Sequence, residues 1–512
     1  MTTVFGNPGS TEILFLQDWP IDFDYVLALQ EASVVAMADG FAQTTGNAAF
    51  VNLHSAAGLG NALGAVFTAY RNQTPLVITA GQQSRTLLMK EPYLYAERAA
   101  EFPRPYVKWS IEPARAADVP VAIARAYHTS MQKPCGPTFV SIPGDDWNLP
   151  AAEVPDRQKA YRTAPDSEFL RELAAAIVSS EYPAFVVGSE VDRDGAFDLM
   201  VELAETVGGS VWEAPVANRA SFPENHDLFC GFLPATPSGL AAALAPYDLI
   251  VVLGAPAFTY HVAEHSTDVL ANKLVFHVSA NPAAVSWSPF RACVGCPGLV
   301  IQGLIAELRG CKLRGITRGA TRRRIDGAAA TEPISPAFVM RTLAKLRRDD
   351  AIIVEEAPSH RVARQAHLPV LKAGGFLTMA SGGLGYGLPA AVGVALASGL
   401  RRVICIIGDG SAMYSVQALW TAAQRALPVS VIVLNNRGYG AMRAFRRRFG
   451  LAAIPGTELP GLDFVKLALG HGCQAFRVRS ATELPPVLAR ALASNGPVLV
   501  DVWVDPDLGD LY

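Results

Sequence analysis

The sequence predicts an α/β protein built from three doubly wound parallel-sheet units. Short apolar runs alternate with helix-length stretches along almost the whole chain. Two segments without a sustained apolar period interrupt that alternation, and half of the 512 residues are apolar, more than one hydrophobic core absorbs. The first unit, 1–155, carries strand-like runs at Val4–Phe5, Ala49–Leu53, Pro75–Ala80 and Pro137–Ile142. Leu149–Pro165, with its prolines and charges, reads as a linker. The second unit, 166–312, has strands at Ala184–Val187, Ser210–Val211, Leu249–Leu253 and Leu274–His277. Lys312–Pro333, rich in Arg, Gly, Ala and Thr, reads as a second linker before the third unit, 334–512. The first and last units are candidates for distant copies of one fold.

Charge and cysteine content narrow the function. A formal charge of −3 gives no electrostatic case for nucleic acid or an anionic membrane, so small-molecule chemistry is the default. The basic runs Arg322–Arg324 and Arg446–Arg448 read as solvated surface. Seven cysteines make no disulfide framework, and Cys293-Val294-Gly295-Cys296 has no second pair to complete a zinc site. No uninterrupted apolar segment has membrane-spanning length, and the N-terminus lacks a signal-peptide pattern. A cytoplasmic location is the expectation.

The most informative stretch is Gly408-Asp409-Gly410-Ser411. It follows the buried-strand run Val403–Ile407 and precedes SVQALWTAAQRA, which reads as a helix beginning near Ser411, and VSVIVLNN, which reads as the next strand. Asp409 and Asn436 are thereby predicted at the C-terminal ends of neighbouring strands, facing one crevice. Mg²⁺ takes one or two carboxylates and completes an octahedral shell with phosphate and water oxygens. One Asp, one Asn amide and one backbone carbonyl, for which Gly438 is the candidate, meet that demand, and Ca²⁺ can take the same oxygens. The glycines let backbone N–H groups approach an anion, so the segment reads as a metal–diphosphate clamp.

GDGSAMYSVQALWTAAQRALPVSVIVLNN resembles the signature of thiamine-diphosphate enzymes. FGNPGSTE (Phe5–Glu12), LALQEASVVAMADGFAQ (Leu27–Gln43), VNLHSAAGLGNALGA (Val51–Ala65) and ASGGLGYGLPAAVG (Ala380–Gly393) stand in the order and spacing of the benzoylformate decarboxylase family and related 2-keto acid decarboxylases. The resemblance implies pyrimidine-binding, middle and diphosphate-binding domains in that order. It assigns thiamine diphosphate to Gly408, Asp409, Gly410, Ser411, Asn436, Tyr439 and Ser359. It also implies that Glu31 activates the aminopyrimidine, that Leu384 props the folded cofactor, and that the Gly382 carbonyl receives its amino hydrogen. Ser10, His54 and His261 match the substrate-handling positions, with His265 the nearby competitor of His261. Taken alone, Ser10 is a turn former or N-cap for the following TEILFL. Because Glu31 lies in the first unit and the clamp in the third, the resemblance implies a homodimer at minimum and a homotetramer as the expectation. Family members also carry a helix ahead of the first strand, so an uncovered patch beside Val4-Phe5 is expected.

The implied reaction is non-oxidative decarboxylation of a 2-keto acid to an aldehyde and CO₂, with carboligation as a side activity. Ala441, Met442 and Phe445 match the segment lining the benzoylformate pocket. Tyr93, Pro358 and Thr378 depart from it, which opens the pocket to phenolic, substituted-aromatic or aliphatic substrates. Rival readings are an acetolactate-synthase-like enzyme, a benzaldehyde-lyase-like carboligase and a catalytically silent paralogue. The first is disfavoured by the missing glycine-rich dinucleotide turn. Retention of Glu31, His54, Asp409 and Asn436 together disfavours the last.

Overall fold

The computed structural model describes residues 1–155, 157–264, 270, 272–313, 327–399 and 401–507. They form three six-stranded sheets, and every strand pair in them is parallel. The first contains β1 (Thr3–Gly6), β2 (Asp24–Leu27), β3 (Ala49–Leu53), β4 (Leu76–Gln82), β5 (Ser110–Ile111) and β6 (Thr138–Pro143), in the order β2-β1-β3-β4-β6-β5. The second contains β7 (Pro183–Val187), β8 (Ser210–Glu213), β9 (Phe229–Phe232), β10 (Leu249–Leu253), β11 (Leu274–Ser279) and β12 (Arg291–Val294), in the order β12-β11-β10-β7-β8-β9. The third contains β13 (Ile352–Glu356), β14 (Phe376–Thr378), β15 (Val403–Gly408), β16 (Val429–Asn435), β17 (Gln474–Val478) and β18 (Val498–Trp503), in the order β14-β13-β15-β16-β18-β17. Renumbered within each unit, the first and third orders coincide, as copies of one fold would.

Central strands such as VICIIG are apolar at nearly every position because helices cover both faces of a parallel sheet. The middle sheet reverses direction between β7 and β10, an order shared with dinucleotide-binding sheets. Its first turn nevertheless runs Gly188-Ser189-Glu190-Val191-Asp192-Arg193, without the spaced glycines that let a pyrophosphate approach the backbone.

One apolar core runs through the first and third units, joining Phe5, Val34 and Met37 to Leu388, Val392 and Cys405. The helices Glu31–Thr45 and Gly387–Ala397 cross within it at backbone contact. A Cβ on Gly393 would stand 1.9 Å from the Met37 carbonyl oxygen, and one on Gly40 2.2 Å from that of Ala390. Asn72 ties in the middle unit. Its amide donates to Asp39 at 3.1 Å, while its carbonyl oxygen accepts from the Ala380 N–H at 2.8 Å and from Asn218 at 3.4 Å.

Two expectations change. The stretch after the clamp is not one helix but two short pieces, Asp409–Ala412 and Ala418–Gln424. Between them Tyr414 and Ser415 donate to Ser411 and Ala412, three residues back, so the chain takes tight turns through Met413–Gln417. Likewise TEILFL forms only the 3₁₀ turn Ser10–Glu12 and looser turns, and Ser10 caps no helix. Beside the first strand, Val4 and Phe5 are buried, while an open groove lined by Val119, Ile123 and Tyr127 adjoins Met1. Arg322–Arg324 and His265 lie outside the described residues.

Candidate active site

Paired strands β15 and β16 end side by side, so Asp409 and Asn436, each the first residue beyond its strand, meet at one rim of the sheet. Both are buried. Asp409 Oδ1 accepts the Gly410 N–H at 2.8 Å and Oδ2 the Gly438 N–H at 2.9 Å, while Asn436 Oδ1 accepts the Gly438 N–H at 3.2 Å. The loop turns sharply because Arg437 adopts a left-handed φ of 59°, with its N–H donated to Asn435 Oδ1 at 3.2 Å. A side chain at Gly438 would strike the Thr457 carbonyl oxygen at 2.3 Å, and one at Gly410 would strike the Tyr439 ring at 2.5 Å. Burial pushes the Asp409 carboxyl up to about 6, still below neutral pH, so it stands ionised for a cation.

A cavity of about 560 Å³ opens over this rim, between the third and middle units. Gly408, Asp409, Gly410, Ser411, Asn436, Gly438 and Tyr439 form one end of it, with Pro358 and Ser359 alongside. Gly382 and Leu384 contribute from the neighbouring loop, and His261, Ala441, Met442 and Phe445 complete the wall. The His261 ring lies 5.7 Å from that of Phe445, and its backbone N–H is fixed by the Ala235 carbonyl at 2.9 Å. Gly382 has a φ of 75°, which glycine alone adopts freely.

Ser10, Glu31, His54, Tyr93 and Thr378 do not line this cavity. Thr378 faces into the sheet, 1% exposed, donating to the Glu355 carbonyl at 2.7 Å and accepting from Arg361 at 3.3 Å; its neighbours Phe376 and Met379 reach the wall instead. Tyr93 is 88% exposed on a surface loop, where its carbonyl accepts from Gln83 at 2.7 Å. The other three gather around the N-terminus of the helix Ser55–Arg71. His54 is its N-cap residue. Glu31 reaches Gly58, one turn further on, and accepts from Asn61 at 3.2 Å. Ser10 is exposed at the turn that carries Glu12, whose Oε2 lies 2.8 Å from His54 Nδ1. A single chain thus carries two separate clusters, one around Asp409 and one around Glu31.

Three participants escaped the sequence reading. Glu12 is fully buried against His54, although nothing in an isolated Glu of a turn announces a partner 42 residues away. Glu356 ends β13 and accepts the N–H groups of Gly385, at 2.7 Å, and Gly387, which steadies the loop bearing Leu384. His360 adjoins Ser359 in the cavity wall, buried, with neither ring nitrogen partnered, and burial pushes it down to about 4.

The donor set fits a hard divalent cation carrying further ligand oxygens. Among the described residues no three His, Cys, Asp or Glu side chains cluster as a self-sufficient metal set. One carboxylate, one amide and a backbone carbonyl leave room for phosphate. The unsatisfied His360 nitrogens and the Ser359 hydroxyl offer hydrogen-bonding capacity for that phosphate.

The family models that match describe the N-terminal TPP binding domain of thiamine pyrophosphate enzymes over residues 1–96, their central domain over 170–304 and their C-terminal TPP binding domain over 357–502. Benzoylformate decarboxylase of Pseudomonas aeruginosa is 42% identical over 509 residues, covering 98% of this chain and 96% of the relative. The chain belongs to the thiamine-diphosphate enzymes, in the benzoylformate decarboxylase family. Solved structures of that family superimpose along its whole length. Benzoylformate decarboxylase of Polynucleobacter necessarius matches with a TM-score of 0.96 at 40% identity, and a thiamine diphosphate-dependent 4-hydroxybenzoylformate decarboxylase of Rhodococcus jostii with 0.94 at 38%. In both, the match covers 99% of this chain and 97% of the other. The three-sheet architecture is that of this family, and the fold class predicted from sequence holds.

Proposed function

We propose that this chain decarboxylates an aromatic 2-keto acid, benzoylformate or a ring-substituted relative, to the aldehyde and CO₂. The observation that carries this reading is one cavity holding the Asp409–Asn436 clamp, Leu384, His261 and the aromatic wall Phe445, in a chain of this family. When bound, thiamine diphosphate supplies a carbon nucleophile and a cationic ring that accepts the electron pair left by CO₂.

The protein's part is to bind, orient and move protons. Asp409, Asn436 and the Gly438 carbonyl would hold Mg²⁺, or Ca²⁺ in its place. Gly408, Gly410, Ser411 and Tyr439 shape the diphosphate cradle, and Ser359 and His360 donate to it. Leu384 and the Gly382 carbonyl would hold the cofactor from the neighbouring loop, and Glu31 would hold a proton beside its pyrimidine. His54 and Ser10 hydrogen-bond the substrate's carboxylate and developing alkoxide, and His261 delivers a proton to the product carbon. Ala441, Met442, Phe445 and Pro358 shape the aryl pocket. Carboligation with a second aldehyde is the expected side activity.

The two clusters of one chain complete each other only when a second copy brings its Glu31 cluster to the first copy's clamp. A homodimer is therefore the smallest active form, and a homotetramer is expected. Tyr93, exposed on the first unit, is available to the shared pocket. Pyrimidine-binding (1–155), middle (166–312) and diphosphate-binding (334–512) domains divide the labour. No helix among the described residues is long and apolar enough to cross a membrane, and a cytoplasmic location accords with the seven free cysteines.

A panel of aromatic and aliphatic 2-keto acids, supplied with thiamine diphosphate and Mg²⁺ and scored for aldehyde and CO₂, tests the reading. Turnover of benzoylformate or a substituted benzoylformate above the aliphatic members is expected. No turnover of any member would defeat it.

A further inference from the structure

We infer that Glu12 is a positioning residue that fixes the tautomer of His54 and so decides which ring nitrogen meets the substrate; this rests on the decarboxylase reading above. Glu12 is fully buried in the 3₁₀ turn Ser10–Glu12 that follows β1, and His54 is the first residue beyond β3, the strand paired with β1. Both oxygens of the Glu12 carboxylate are engaged. Oε1 accepts the Gly81 N–H at 2.9 Å and the Thr11 hydroxyl at 2.6 Å, and Oε2 lies 2.8 Å from His54 Nδ1. An ionised carboxylate only accepts, so Nδ1 carries the proton and Nε2 is left as the nitrogen facing outward. Thr11 Oγ1, 3.2 Å from Nδ1, has already given its hydrogen to Glu12 and presents only lone pairs to the same N–H.

The backbone is carved around this pair. A Cβ on Gly9 would fall 2.1 Å from His54 Cγ and Nδ1, and one on Gly81 2.2 Å from Glu12 Oε1. Only glycine at both places lets the imidazole and the carboxylate meet at this distance. His54 is partly exposed while its partner is wholly buried, so one ring edge is anchored in protein and the other is presented.

Glu12→Gln tests the assignment with almost no change of shape. Gly81 N–H and the Thr11 hydroxyl both require an acceptor, so the amide oxygen stays at the Oε1 place and the amide nitrogen turns to His54. That N–H donor forces Nδ1 to accept, and the proton moves to Nε2. With histidine labelled at the ring nitrogens, and the His54 signals assigned by their loss in His54→Asn, wild type should show a protonated Nδ1 and Glu12→Gln a protonated Nε2. At saturating cofactor kcat should fall about 100-fold or more in Glu12→Gln, with KM changed less than about threefold, and Glu12→Asp should recover most of the loss. A protonated Nε2 in wild type, or an unchanged kcat in Glu12→Gln, overturns the inference. The labelled spectrum needs no turnover, so failure of the decarboxylase reading, seen as an inactive wild type, is distinguishable from failure of the tautomer assignment.

Discussion

His54 stands where the sequence motif, the helix N-terminus and the buried partner Glu12 converge, and its removal should be felt in kcat more than in KM. His54→Ala is expected to lower kcat by about two to three orders of magnitude, the usual worth of a positioned proton donor, measured by steady-state decarboxylation at saturating cofactor. A second residue-scale prediction concerns acid. Burial holds His360 down at about 4, whereas in the unfolded chain a histidine titrates near 6.5. Between those values the unfolded state binds a proton that the folded state refuses. The contribution is thus fully present above pH 6.5 and is lost as pH falls toward 4, amounting to roughly 3 kcal/mol. Denaturant titrations of cofactor-free protein should show a shallower fall over pH 6.5 to 4 for His360→Asn than for wild type; equal slopes would contradict the account. Asp409 and Asn436 were legible in sequence because both sit in one short motif on consecutive strands. Glu12 and His360 were not, since their significance lies in a tertiary partner or in the lack of one. Thr378 misled because its hydroxyl is taken up by the Glu355 carbonyl in the sheet rather than presented to the cavity.

At the scale of elements, the crossing of the helices Glu31–Thr45 and Gly387–Ala397 locks the first unit to the third unit that carries the clamp. Gly393→Ala should destabilise by about 2 kcal/mol, because a methyl group 1.9 Å from a backbone oxygen forces two packed helices apart. Gly64→Ala is the contrast. It lies in the helix Ser55–Arg71 with nothing within 4 Å of its would-be Cβ, and should stabilise by about 0.5–1 kcal/mol through lower unfolded-chain entropy. Thermal or denaturant unfolding of the two variants, opposite in sign, checks the packing. Runs such as Ala49–Leu53 and Leu249–Leu253 were readable to the residue because buried parallel strands are apolar at nearly every position. Edge strands such as β5, two residues long, and the polar-flanked β12 leave no such trace. The helix expected after the clamp broke because apolar periodicity reports which face is buried, not whether each turn closes.

The whole molecule repeats one sheet order at its two ends, around a middle sheet of different order. That repetition was only a suspicion in the sequence, since strand order follows from packing between segments far apart in the chain. The division of functional residues into two clusters carries the larger consequence. Exposed apolar side chains accompany both, Ile13, Met89 and Tyr93 in the first unit and Tyr414 and Phe449 in the third. Such surfaces mark association. Light scattering in solution should therefore give a mass of at least twice the 54.4 kDa chain, and a monomer retaining activity would refute the shared site. The most direct test mixes two disabled variants, Glu31→Gln and Asp409→Ala, unfolding and refolding them together. If each site takes its glutamate from one protomer and its clamp from another, random pairing restores about a quarter of wild-type activity, since half the dimers are mixed and each holds one intact site. Activity that stays at the level of the separate variants would contradict the account.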